Sequence, residues 1–109
     1  MIDYEGRRFR KVGASETDAP TALYRQAGDL VWAEFAGGDV RRGSLAGVRD
    51  AEDRVAFAYT MVLAGGEIIA GRSVNTPQTL PDGRIRFHEE WERFGEHADR
   101  GVSYIEEVG

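Results

Sequence analysis

Glu89 stands out first, because it interrupts an apolar row. In the run from Ile85 to Arg93 every second residue falls on one side, giving Ile85, Phe87, Glu89, Trp91 and Arg93. A carboxyl placed among aromatic neighbours loses hydration, which favours its protonated form and suits it to anchor a ligand or move a proton. A structural partnership is the other reading, with an internal arginine (Arg72 or Arg25) or with tyrosine hydroxyls. A bulge would reverse the pleat and turn Glu89 to solvent. Tyr24, Gln26, Tyr59 and Ser73, with Tyr104 as a further member, supply hydroxyl and amide groups on the same expected face. Set among Phe57, Phe87, Trp91 and Leu45, they form the mixture that small-molecule sites use. A filled core with a few satisfied polar groups would show the same mixture. The candidate ligand-binding set is therefore Tyr24, Gln26, Phe57, Tyr59, Ser73, Phe87, Glu89 and Trp91.

Other chemistry is sparse. His88-Glu89-Glu90-Trp91-Glu92 lacks the second histidine of a zinc-protease helix, and strand alternation sends His88 and Glu89 to opposite faces. His88 thus reads as part of a charged surface with Arg86, Glu90 and Glu92. His97 lies near Asp99 and Arg100, where it could titrate close to neutrality or simply be solvated. Glu106 and Glu107 must split across two faces of a strand. The chain has no cysteine, so disulfides and thiolate chemistry are excluded. No phosphate loop, nucleophile elbow or dinucleotide fingerprint occurs. The residues name no catalytic group, metal ligand or cofactor.

The elements that must position these groups are short strands. The alternation predicts them at Arg8 to Val12, Ala22 to Ala27, Leu30 to Ala36, Val40 to Val48, Val55 to Leu63, Glu67 to Asn75, Ile85 to Arg93 and Val102 to Val108. Gly37-Gly38 and Gly65-Gly66 are hairpin signals, since glycine reaches positive φ without steric cost. Residues 13–20 and 76–83 read as longer turns, the latter through Pro77 and Pro81-Asp82-Gly83. Residues 88–99 offer a rival helical spacing through Trp91, Phe94 and Ala98, which Gly95 interrupts.

Eight hairpin-linked strands predict an all-β fold, an eight-stranded antiparallel up-and-down β-barrel in one domain spanning residues 1–109. Connectivity places the loops at 13–20, 37–38, 64–66 and 95–100 at one end, and those at 28–29, 49–53 and 76–83 at the other. The first end is the expected mouth, with 13–20 and 95–100 as its lid. The net charge of −5 and the lack of basic runs speak against nucleic acid and against an anionic membrane surface. No apolar segment suffices for a membrane helix, and Met1-Ile2-Asp3-Tyr4-Glu5 is not a secretory leader, so a cytoplasmic location is expected. Trp32, beside Glu34 on the expected outer face, suggests a homodimer contact.

This meander resembles the calycin-like barrels, the lipocalin and avidin groups. The strings Val31-Trp32-Ala33-Glu34-Phe35-Ala36-Gly37-Gly38, Pro81-Asp82-Gly83-Arg84-Ile85-Arg86 and Ile105-Glu106-Glu107 also resemble short bacterial proteins of avidin-like type. Members of that group often carry the label N-acetylglutamate synthase. The resemblance covers about Phe9 to Val108 and brings no established catalytic residues. The label implies acetyl transfer, yet the acetyltransferase fold uses a Gln/Arg-x-x-Gly-x-Gly/Ala loop at a helix N-terminus. Val40 and Ser44 stand where Gly43 and Gly47 would need Arg or Gln. Avidin's ligand-binding tryptophans are likewise not all recovered. Three readings result: a barrel holding a small polar or amphipathic ligand, a ligand-free partner or homo-oligomer module, and an acetyltransferase-type enzyme.

Overall fold

A computed structural model describes residues 1–109. Its strands are β1 (Arg8–Lys11), β2 (Thr21–Ala27), β3 (Leu30–Gly37), β4 (Val40–Arg49), β5 (Val55–Leu63), β6 (Ile68–Thr79), β7 (Ile85–Arg93) and β8 (Asp99–Glu107). Each pairs antiparallel with the next, and β1 pairs with β8, so the sheet closes into an up-and-down barrel. Closure removes the unpaired edges that an open sheet of this kind would expose. Residues 88–93 are strand, and the only helical turn is a short 3₁₀ segment at Gly95–His97. No helix is long and apolar enough to cross a membrane.

Two boundaries differ instructively from the sequence reading. β6 runs on through Pro77 to Thr79, where a turn was expected. Past Asn75 it has lost β5 as a neighbour and pairs with β7 alone. The hairpin hydrogen bond from Leu80 N to Arg84 O, at 2.8 Å, sets the ladder's phase. Pro77 therefore faces Phe87 at a non-hydrogen-bonded pair, and its missing N–H forfeits nothing. β8 begins at Asp99, three residues earlier than the alternation suggests, so the expected 95–100 loop shrinks to a tight turn.

Alternate residues point inward, and the interior packs in two zones. At one end Tyr4, Phe9, Tyr24 and Phe87 form a solid aromatic cluster with ring centroids 4.8–6.5 Å apart. Tyr4 comes from the segment before β1 and is wholly buried. Its hydroxyl donates to the Asp53 carbonyl at 2.5 Å, and its amide donates to Gln26 Oε1 at 2.8 Å. Ile2 N donates to Asp53 Oδ1 at 2.8 Å, and Arg49 returns a bond to the Ile2 carbonyl at 2.8 Å. These bonds make the N-terminal segment a plug. Gly47 lets the wall close tightly, because a Cβ there would lie 1.9 Å from the Ala56 carbonyl oxygen. At the other end the tube stays open. There Gly38, at φ +54°, lets the 13–20 loop pack onto the β3–β4 hairpin, since a Cβ would meet Asp18 O at 2.5 Å.

Candidate functional site

The open end leads into a cavity of about 390 Å³. It lies at the end the loop arrangement predicts as the mouth. Ala19 and Pro20 of the 13–20 loop form part of its wall, whereas residues 95–98 contribute nothing to it. Of the eight residues picked from sequence, Tyr24, Phe57, Tyr59, Ser73, Glu89 and Trp91 line this space together. Leu45 does too, and Phe35, Met61 and Ile105 extend the apolar wall.

Gln26 and Phe87 lie elsewhere. Both face inward, but at the plugged end. Gln26 holds the Tyr4 amide and donates to the Gly28 carbonyl at 2.8 Å, and Phe87 is sealed in the aromatic cluster. Tyr104 points outward, half exposed, and meets His88 edge-to-face at 5.3 Å. Ser103 and Ile105 take the inward positions of β8 instead. Trp32 is also on the outer face, between the buried Val31 and Ala33. Glu107 points inward at the plugged end, receiving Arg7 at 2.7 Å and the Ile85 amide at 3.1 Å, while Glu106 pairs with Arg86 at 2.8 Å outside.

Glu89 is directed into the cavity floor. Neither arginine suggested as its partner reaches it, because both lie on the outer face. Arg72 pairs with Glu92 at 3.1 Å and Arg25 with Glu5 at 2.8 Å. Its bond comes instead from Asn75 Nδ2, 3.0 Å from Glu89 Oε2. Burial pushes the Glu89 carboxyl above its ordinary range, and the Asn75 amide offsets this only in part. Asn75 is itself wholly buried. Its Oδ1 lies 2.8 Å from Ser73 Oγ, which also reaches the Glu90 carbonyl at 3.0 Å, so two acceptors share one proton. Tyr24's hydroxyl borders the group at 3.5 Å, its pKa pushed far up by burial and by Glu89. Ser73, Asn75, Glu89 and Tyr24 thus form one polar cluster where the cavity meets the aromatic plug.

Nearer the mouth the chemistry changes. Trp91 Nε1 donates to Ser103 Oγ at 3.0 Å, which fixes the indole as a wall. Arg93 stacks over that indole with its guanidinium carbon 5.4 Å from the ring centroid. Tyr59 lies beside Arg93; burial raises the phenol's pKa and the guanidinium partly counters this. Asn75, Ser103 and Arg93 were not singled out in the sequence. Extending the alternation from Ser73 would have found Asn75, and Arg93 already sat in the row of Glu89 and Trp91.

Comparison with known proteins gives one match. The family model described as avidin-like protein covers residues 2–108. No curated protein and no solved structure matches the chain. A closed antiparallel eight-stranded barrel, matched over almost its whole length, places this chain in the avidin-like protein family.

Proposed function

We propose that the barrel binds a small polar or amphipathic molecule in its interior and performs no chemistry on it. The observation that carries this reading is the cavity of about 390 Å³, enclosed by aromatic walls and floored by convergent polar groups. Its size falls within the range that ligand sites occupy. The floor cluster is bonded within itself, as a recognition surface requires, and Glu89 keeps one oxygen without a protein donor. Native mass spectrometry of protein purified from its own host tests the proposal. A small molecule retained at one per chain is expected, released on unfolding. A bare chain, unchanged in thermal stability across a metabolite panel, would overturn it. Turnover of acetyl-coenzyme A with glutamate by pure protein, lost in Glu89→Gln, would replace it with the enzyme reading.

A second reading rests on the outer face. Leu30, Val48, Ala56 and Val74 follow one another across β3 to β6 in direct register, all exposed, with Trp32 beside them. A flat row of small and branched apolar residues suits packing against a second copy. The same mass spectrum reports the oligomer mass, and a dimer weakened by Val48→Glu would support this role.

A further inference from the structure

Three rings that wall the cavity share one local arrangement. Phe35 stands directly across from Gly43, Tyr59 from Gly71 and Trp91 from Gly101. Each pair belongs to a hairpin that turns at the open end, β3–β4, β5–β6 or β7–β8. In each, the ring fills the space that a Cβ on the glycine would need. A Cβ at Gly43 would lie within 2.8 Å of three atoms of the Phe35 ring, and one at Gly101 would lie 2.7 Å from Trp91 Cζ2. One at Gly71 would lie 2.7 Å from the end of the Tyr59 ring. None of these glycines has a positive φ, so backbone conformation does not call for them. Glycine inside a strand weakens it, and close approach by a neighbour is what repays that cost here. The fourth hairpin at this end shows the alternative. There Ala22 faces Phe9, and the Phe9 ring packs within the lumen against Tyr24 and Phe87, at 4.8 and 4.9 Å.

We infer that Gly43 and Gly101 are positioning residues that seat Phe35 and Trp91 flat along the wall, and that the cavity so shaped selects a flat guest over a globular one. A ring leaning over the neighbouring strand's glycine turns its face, rather than its edge, to the lumen. β3 and β7 stand four strands apart in a closed ring of eight, so the two faces come from opposite walls of one cavity. A thin planar body between them meets both faces, whereas a rounded one of similar size stacks on neither. The two seats differ in stiffness. Trp91 is tied to Ser103 through its indole N–H, whereas Phe35 has no polar group and is only half-buried, so a methyl at Gly43 would tip its ring into the lumen. Gly71 is a poorer probe of the idea, because its Cβ would also meet the Glu92 carbonyl oxygen, which belongs to the wall itself. The selection of shape rests on the cavity being a binding site; the seating of the rings does not.

Two neutral ten-carbon alcohols, planar 2-naphthol and globular 1-adamantanol, test the inference by titration calorimetry. The native chain should bind 2-naphthol about 10-fold more tightly, the worth of stacking on two ring faces. Gly43→Ala should weaken both alcohols by about 10-fold or more and lower Tm by less than about 5 °C, because the displaced ring moves into open lumen. Adding Phe35→Ala to Gly43→Ala should return 1-adamantanol to within about 2-fold of native and leave 2-naphthol weak, since the two residues act through one contact. Gly101→Ala reads the second seat independently: the indole leaves Ser103, and tryptophan emission shifts as 2-naphthol binding falls. Unchanged binding in Gly43→Ala, a loss that Phe35→Ala does not relieve, or a larger fall in Tm would overturn the seating role of Gly43 while the cavity remains a binding site. Unshifted emission in Gly101→Ala would do the same for Gly101. Equal native affinity for the two alcohols would overturn the selection of shape. Failure of both to bind the native protein would overturn the cavity reading itself.

Discussion

Tyr4 offers the sharpest test of how the barrel is held together. It belongs to a segment without regular structure, yet none of its surface is exposed. Its ring packs against Phe87 at 5.2 Å and its hydroxyl is bonded to the Asp53 carbonyl. Burial also pushes the phenol's pKa far up, so it remains a neutral donor across the physiological range. Tyr4→Phe keeps the ring and removes one hydrogen bond, which should cost about 1–2 kcal/mol. Tyr4→Ala empties the plug and should cost about 3–5 kcal/mol, the range for truncating a large buried aromatic. For a domain of this size that lowers Tm by roughly 5–10 °C and 15–25 °C respectively. Urea unfolding followed by tryptophan fluorescence measures both, with thermal melts by circular dichroism as a second readout. A Tyr4→Ala protein within about 1 kcal/mol of the native chain would refute the plug. Equal losses in the two variants would show instead that the hydroxyl, rather than the ring, secures it.

Two further outcomes follow from the site and the wall. Glu89→Gln should stabilise the chain at neutral pH and change little in acid, because a carboxyl with a raised folded-state pKa binds its proton more tightly when native. The native chain's stability should therefore fall, relative to the variant, as pH rises from the ordinary glutamate value of 4.5 to the raised value and level off above it; a pH series of urea melts showing a constant difference would contradict this. Gly47→Ala should cost about 1–3 kcal/mol by forcing β4 from the Ala56–Phe57 backbone, whereas Gly65→Ala meets only the flexible Glu67 carboxylate and should stay within about 1 kcal/mol in the same assay.

Much of this architecture is legible in the residues, and the part that is not has a physical explanation. β5 shows strict alternation from Val55 to Leu63, and diglycines mark the hairpins that join β3 to β4 and β5 to β6, so strand order and closure follow. Alternation also separates inward from outward, which is why Glu89, Trp91 and Ser73 converge as expected. It does not report depth along the tube. Strands in a barrel are tilted and staggered, so residues equally inward can lie at opposite ends. Gln26 and Phe87 fell to that ambiguity and sit in the plug. Asn75 stood at the last position of the expected strand, and its burial shows only once β6 runs on through Pro77 to Thr79. Tyr4 left no periodic trace at all, since a segment docked by side chains need not follow a strand's repeat. Tyr104 faces out because Ser103 and Ile105 hold the inward positions of β8, a parity that the short strand Val102 to Val108 leaves open.

The pairing of β1 with β8 has a further meaning for how the tube is made and how it fails. Phe9 faces Glu107 across this seam, so its contacts join opposite ends of the chain. Such joints form late, after the hairpins between neighbours, because a long loop must be closed before any bond repays it. The seam is also as thin as any in the wall, matched only by β1 against β2, since β1 has only four residues. Breathing of the wall should begin there, making this joint the place where amides first exchange with deuterium and proteases first cut.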